Sequence, residues 1–406
     1  MTHIRAKLSS FFTGFAAKML STVEVSRQSS NQHEFHGTAE LKDVLGVAKV
    51  NRQPTRFMYF NDSGQILADG ALTWYDAREQ HPTRSEYRLY YPANEAMAAA
   101  SAGDTMVLAK RPSGELIVLI AGQDSTIESQ LMWLFGIDSV SSAAPTAHKI
   151  QGGDDPDVGL LASIILENIG IETNDIWFEE NAAIELTRTF PDGFPSTAEF
   201  SVFARQYAGR RDDIRPSVNP DHALMKWYST EEMLFRTLEH IIVDERIRQG
   251  FDDVDEFISY SLSIHNRRKA RAGRAFENHL ATVFEENNLS FEKDARTEGS
   301  KKPDFLFPGR EQYIDDDFPV DQLAILGAKT TCKDRWRQVL SEANRLDRKH
   351  LATLEPGISE VQTEEMRESS LSLVVPSELF QTFSDAQQAN LLSISDFIKM
   401  VSKMQA

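Results

Sequence analysis

Apolar and polar positions alternate with two different rhythms along this chain. Up to about residue 140, short apolar runs recur between turn signals, at 22–26, 57–60, 85–91, 105–110 and 115–121. Within 85–91, Tyr87, Leu89 and Tyr91 fall on one face and Glu86, Arg88 and Tyr90 on the other, the period of a half-buried strand. Pro112 to Gly114 join two apolar runs as a hairpin turn, and Asn61-Asp62-Ser63-Gly64 marks another turn. Repeated short strands predict a small sandwich or barrel. The apolar stretch 8–20, interrupted by Lys18, predicts an amphipathic helix rather than a signal peptide, since no clear cleavage site follows it.

The rhythm then changes. Residues 138–159 are rich in Ser, Ala, Gly, Pro and Asp without apolar periodicity, which predicts an exposed linker. A short apolar helix is expected at 160–166. Ser229-Thr230-Glu231-Glu232 has the form of a capping box ahead of a helix with the stripe Leu234, Leu238, Ile241 and Ile242, stopping at Gly250. Another helix is expected at 254–262, and from Gly273 the positions Phe276, Leu280, Val283, Phe284 and Asn287 repeat at helical spacing. Two apolar runs, after Asp304 and before Lys329, predict paired strands. Trp336, Val339, Leu340, Ala343 and Leu346 then predict a helix whose Arg335 and Glu342 share a face.

Composition narrows the class. A length of 406 residues suggests two domains, and 41% hydrophobic with 26% charged residues is the balance of a soluble globular protein. A single cysteine, Cys332, excludes an intramolecular disulfide and fits a reducing cytoplasm, the expected location. No apolar run reaches the roughly 18 to 20 residues of a membrane span. The net charge of −18 by itself argues against a nucleic-acid partner. Two basic patches cut across that average. Residues 264–275 hold Arg267, Arg268, Lys269, Arg271 and Arg274 without an acid, and 329–349 carry a basic excess. Lys49, Arg52, Arg56, Arg84 and Arg88 form either a third basic face or scattered surface charges.

Candidate chemistry centres on Pro303-Asp304 and Lys329, the spaced acid and lysine of a Mg²⁺-dependent nuclease. Glu277 borders the buried stripe of the helix before Asp304, and Glu342 follows Lys329. If Glu277, Asp304 and Glu342 converge, each pair about 4 Å apart repels by ~4 kcal/mol at an effective dielectric near 20. Three such acids need a proton or a cation, and oxygen-only ligands favour Mg²⁺ or Ca²⁺ over zinc. Lys329 is then placed to orient water or neutralise a phosphate. Otherwise these are separate surface acids and a strand-end lysine. His33-Glu34-Phe35-His36 spaces its histidines by three, where a helical zincin needs four, and reads as a structural or surface pair.

Longer strings carry a resemblance. Asn266-Arg267-Arg268-Lys269-Ala270-Arg271-Ala272-Gly273, Glu298-Gly299-Ser300-Lys301-Lys302-Pro303-Asp304-Phe305-Leu306-Phe307-Pro308 and Lys329-Thr330-Thr331-Cys332-Lys333-Asp334-Arg335-Trp336-Arg337-Gln338 resemble the EcoRII family of restriction endonucleases, within the PD-(D/E)xK nucleases. Met366-Arg367-Glu368-Ser369 and Leu373-Val374-Val375-Pro376-Ser377 extend the likeness, which covers about 180–406. The resemblance implies an N-terminal, mostly β, pseudobarrel-like effector-DNA-binding domain (1–140), a linker (141–175) and a catalytic α/β restriction-endonuclease-like domain (176–406) with a central mixed sheet flanked by helices. It implies a homodimer that cuts both strands of double-stranded DNA with Mg²⁺, leaves 5′-phosphates, and is accompanied by a separate DNA methyltransferase.

Carried over residue by residue, the resemblance makes Asp304, Lys329 and Glu342 the catalytic set, with Glu277 as the helix acid and Tyr313 as an active-site tyrosine. Asp304, Glu342 and Glu277 are then the metal ligands. Lys333, Asp334 and Arg335 match a triplet reading adjacent C·G pairs, in line with Arg and Lys donating to guanine and Asp accepting from cytosine. Arg267, Arg268, Lys269 and Arg271 are candidate phosphate contacts. The expected activity is a type II enzyme cutting a CC/GG-containing, CCWGG-like site, autoinhibited until a second site is bound. A repair or phage-defence nuclease, or a non-catalytic DNA-binding regulator, are the alternatives.

Overall fold

A computed structural model describes residues 7–25, 34–138, 140, 146–149, 159–173, 177–299, 301–332 and 335–406. The chain divides into two compact units, one of Ile4–Glu172 with Gly357–Val361, the other of Thr173–Pro356 with Gln362–Ala406.

The first unit is a sheet with short helices. Strands β1 (Gly14–Met19), β2 (Glu34–His36), β3 (Val50–Asn61), β4 (Gly64–Asp76), β5 (Tyr87–Tyr90), β6 (Thr105–Lys110), β7 (Leu116–Ala121) and β8 (Thr146–Lys149) run in the order β2-β5-β4-β3-β7-β6-β1-β8. Pairing is antiparallel except between β3 and β7. Asn61 Oδ1 accepts from the N–H groups of Ser63 and Gly64, both at 2.9 Å, and so closes the β3–β4 turn that its sequence announces. Helices α1 (Thr22–Val25), α2 (Ala39–Leu45), α3 (Glu95–Ala99), α4 (Thr126–Phe135) and α5 (Leu160–Asn168) complete the unit. Phe35, Phe57, Trp74, Leu89 and Tyr91 belong to its core.

Three expectations here are corrected. Residues 8–20 form a short 3₁₀ turn and then β1, not a helix. Five of the six residues of β1 are buried, so its run shows neither the strand nor the helix period. Lys18, which breaks the run, is itself buried against Glu24. Residues 22–25 are helical rather than a strand. Thr146–Lys149, inside the expected linker, is the edge strand β8 beside β1; 141–145 and 150–158 lie outside the described residues.

In the second unit, helices α6 (Glu180–Thr189), α7 (Thr197–Gly209), α8 (Pro220–Gln249) and α9 (Val254–Glu286) precede a mixed sheet. Its strands β9 (Glu292–Lys293), β10 (Phe305–Phe307), β11 (Ala324–Lys329), β12 (Lys349–Thr353) and β13 (Leu371–Val374) run in the order β13-β12-β11-β10-β9. β9, β10 and β11 pair antiparallel, and β11, β12 and β13 parallel. Helices α10 (Arg310–Ile314), α11 (Trp336–Leu340), α12 (Glu360–Glu368, from Gln362 on), α13 (Asp385–Gln388) and α14 (Ile394–Met404) also belong to this unit.

The supposed capping box lies in mid-helix. α8 starts at Pro220, where Asn219 caps the N–H of His222 and proline's missing donor costs nothing. Gly250 does end it, at φ 81°. The basic patch belongs to the single helix α9, which runs through Gly273. Phe284 of α9 meets Phe305 and Phe307 of β10 edge-on, at 5.3 and 5.4 Å between ring centroids. That cluster anchors β10 to α9. A Cβ on Gly327 of β11 would come within 2.7 Å of Val339, so the glycine is what lets α11 pack so closely on the sheet.

Candidate active site

Antiparallel pairing of β10 with β11 sets Phe305 opposite Leu326 and so brings the head of one strand to the tail of the other. Asp304 precedes β10 and Lys329 ends β11. Asp304 Oδ2 accepts from the Ala328 N–H at 2.6 Å and from Lys329 Nζ at 2.7 Å. The two side chains are about one-fifth exposed, so solvent reaches this ion pair.

Two further carboxyls feel the charge of Asp304. Glu277 projects half-buried from α9; burial and then the Asp304 charge raise its pKa, against the pull of Lys293 and Lys329. Glu342 is pushed up to about 7, first by burial and then by Asp304, with Lys329, Lys301 and Lys349 opposing. Its Oε2 is buried without a hydrogen-bond partner. A buried, unpartnered carboxylate oxygen is costly unless a proton or a cation satisfies it.

The expected placement of Glu342 on a helix is corrected. α11 ends at Leu340, and Ala343 has φ 49°, a left-handed conformation that costs an L-residue roughly 1–2 kcal/mol. Glu342 therefore stands in a turn and no longer shares a helical face with Arg335. Lys349 Nζ donates to Leu340 O at 2.6 Å and Lys301 Nζ donates to Ser341 O, so two lysines fasten the turn just ahead of Glu342.

These donors suit a hard divalent cation: oxygen only, with one orphaned oxygen and two carboxyls shifted upward by burial and by Asp304. Among the described residues, no three acidic, histidine or cysteine side chains are yet close enough to hold an ion together. The direct contact within the set is Lys329 on Asp304.

Other candidates fare differently. The Tyr313 hydroxyl is committed to Glu298, to which it donates, and it accepts from the Arg345 N–H at 3.3 Å; burial and the Glu298 bond push its pKa up to about 12. Lys333 and Asp334 lie outside the described residues, while Arg335 is exposed just ahead of α11. Cys332, next to them, is buried, and its N–H donates to the buried Glu355.

The basic patch splits. Arg271 is 5% exposed, ion-paired with Glu231 and Glu232, and Arg268 is paired with Glu239. Both guanidiniums are thus engaged by carboxylates in this structure. Arg267 and Lys269 are exposed. In the first unit, Arg88 is bound by Glu34 and Glu86, whereas Lys49, Arg52, Arg56 and Arg84 are exposed. His36 is exposed, and His33 lies outside the described residues.

Pattern reading missed Lys301, Lys349, Glu298, Arg345 and Glu355 as contributors. Lys301, Glu298, Arg345 and Glu355 act through contacts at least 15 residues away, and Lys349 through one nine residues away across a turn that helical spacing hides.

Comparison with known proteins agrees with the C-terminal reading. Residues 235–398 match the family model described as EcoRII C terminal. The type II restriction enzyme EcoRII of Escherichia coli is 44% identical over 214 residues, 52% of this chain and 52% of that protein. The type II restriction enzyme SsoII of Shigella sonnei is 24% identical over 194 residues, 43% of this chain and 62% of that protein. The chain thus spans about half to three-fifths of the length of these curated relatives. Among solved structures, metal-depleted Ecl18kI in complex with uncleaved, modified DNA superposes with a TM-score of 0.40 and 20% identity, over 55% of this chain and 83% of that one.

Proposed function

The C-terminal part of the chain is EcoRII-like, and from that premise we propose that the protein is a type II restriction endonuclease. It hydrolyses both strands of duplex DNA at a short CC/GG-containing, CCWGG-like site with Mg²⁺. The observation that carries this reading is the Asp304–Lys329 pair across β10 and β11, with the raised carboxyls of Glu277 and Glu342 within its field.

Asp304, Glu342 and Glu277 are the residues that would hold the metal. When bound, Mg²⁺ supplies charge neutralisation at the phosphate and a more acidic water. Lys329 turns its ammonium from Asp304 towards a non-bridging phosphate oxygen, holding the phosphate for in-line attack. Water forms the new P–O bond, the P–O3′ bond breaks, and the phosphate stays on the 5′ end. Arg335, with Lys333 and Asp334, reads the C·G pairs from the major groove. Arg267 and Lys269 remain for the backbone.

Two strands call for two such sites, hence a homodimer. In this reading residues 1–140 bind a second DNA copy and block the cleft until it is present, 141–175 link, and 176–406 cut. A separate methyltransferase protects the host's own sites. Sequencing the ends of genomic DNA digested by the pure protein in Mg²⁺ identifies site and cut position together. Adding a short duplex that carries the site should speed cleavage of single-site DNA; no acceleration would remove the effector role.

A second reading is a non-catalytic DNA-binding regulator, favoured by the wide spacing of the acids among the described residues, where no three of them are close enough to hold an ion. An Asp304→Ala protein that binds DNA but does not cut it supports the enzyme. Wild type that cuts no duplex in Mg²⁺ supports the regulator.

A further inference from the structure

Glu342 sits beyond the end of α11, next to a left-handed Ala343, so no i to i+4 hydrogen-bond ladder holds its backbone. Lys301 and Lys349 grip the carbonyls before it. On its far side the grip comes from Arg345. The Arg345 guanidinium donates through Nη1 to the carbonyls of Gln312, Tyr313 and Asp315 at 3.3, 2.6 and 2.7 Å, and through Nη2 to those of Asp316 and Phe318 at 3.4 and 2.6 Å. Its own N–H donates to the Tyr313 hydroxyl, which in turn donates to Glu298.

One side chain thus ties the Glu342 turn to the end of α10 and the segment that follows it. It does so by reading main-chain oxygens. Among the described residues it makes no ion pair with Asp315, Asp316 or Asp317, although it touches two of their carbonyls. The planar fork of a guanidinium can serve carbonyls spread over this arc, which a single ammonium cannot.

We propose that Arg345 is a positioning residue that aims the Glu342 carboxylate at the metal site, and that Tyr313 acts through Arg345 and Glu298 rather than on the phosphate. The proposal rests on the reading of Glu342 as a metal ligand.

The test uses full-length wild type, Arg345→Lys and Tyr313→Phe. Three quantities are measured: Mn²⁺ affinity of the DNA-free protein by electron paramagnetic resonance, thermal midpoint, and kcat and KM for a CCWGG duplex in Mg²⁺. Arg345→Lys is expected to weaken Mn²⁺ binding by about tenfold or more and to lower kcat at least as much, with KM for the duplex unchanged. Tyr313→Phe should show the same pattern more weakly, and the double variant should be no worse than Arg345→Lys alone, because both break one path.

Unchanged Mn²⁺ affinity in Arg345→Lys overturns the proposal. So does a Tyr313→Phe protein that loses kcat while keeping full Mn²⁺ affinity, which would place the hydroxyl on the reacting atoms. If Arg345→Lys does not fold, Tyr313→Phe, which keeps the ring and its packing, decides alone. Should wild type cut no duplex, the nuclease reading fails, yet the Mn²⁺ affinities still decide the positioning role.

Discussion

Two clusters of acids and bases lie along α9, and they are built on opposite principles. Towards α8, Glu231 and Glu232 meet Arg271, Arg236 and His279, all buried. Burial opposes the Glu232 charge, yet Arg271 and then Arg236 overcome it and bring its pKa down to about 2. Burial lowers the pKa of His279 despite the neighbouring Glu231, with Arg205 and Arg271 acting in the same direction as burial. Towards the sheet, Lys329 touches Asp304 and acts on Glu277 and Glu342 only through its charge, and Glu342 is pushed up to about 7. Burial raises both carboxyls; at Glu232 two guanidiniums in ion-pair contact reverse it, whereas at Glu342 the lysines oppose it without overcoming it. A cluster that is short of positive charge is one that takes it from outside, from metal or substrate.

The contrast can be broken in several ways. The largest expected effect is at the open cluster: Asp304→Ala should reduce duplex cleavage by about a thousandfold, the scale of losing a preorganised electrostatic group, while folding is retained. Cleavage assays with a melting control decide it, and a protein that fails to fold would put Asp304 among the structural acids.

Next comes the closed cluster. Arg271→Met leaves Glu231 and Glu232 buried with too little positive charge and should cost roughly 3–5 kcal/mol in denaturant unfolding. A loss under 1 kcal/mol would mean that the two clusters do not differ in kind.

A smaller effect separates them by pH. Glu342 has its folded pKa raised to about 7 from an ordinary 4.5, so its contribution is fully present below pH 4.5 and is lost as pH rises towards 7. In metal-free buffer, Glu342→Gln should therefore be more stable than wild type at pH 8, by on the order of 1–2 kcal/mol after solvent screening, and not at pH 4.5. Equal gains at both pH values would refute a charge origin. Smallest of all, Arg367→Ala removes an exposed pair with Glu364 and should change stability by less than about 1 kcal/mol.

Legibility followed the range of the contacts. The Asp304–Lys329 pair could be read because two apolar runs close in sequence imply pairing, and pairing brings their ends together. The β3–β4 and β6–β7 hairpins were readable for the same reason, since Asn61 and the Pro112–Gly114 turn announce them locally. Glu342 was misplaced because Trp336, Val339, Ala343 and Leu346 keep helical spacing although the helix stops at Leu340. Those positions are buried for tertiary reasons, and spacing cannot tell a helix from a turn that packs equally well. The role of Glu231 and Glu232 was hidden likewise: a Ser-x-x-Glu string satisfies the capping pattern wherever it occurs, and only their burial against Arg271 shows them in mid-helix.

The sequence by itself determined the strand pair that carries Asp304 and Lys329, the helix that carries Glu277 and the EcoRII-like character of the C-terminal half, because periodicity, turn chemistry and long matching strings are local. Only the tertiary structure decided which arginines are spent in the core and which remain at the surface, and that Glu342 stands in a turn held by Lys301, Lys349 and Arg345. Those outcomes depend on which distant groups neutralise one another, and charge balance in a fold is set by proximity in space rather than by order along the chain.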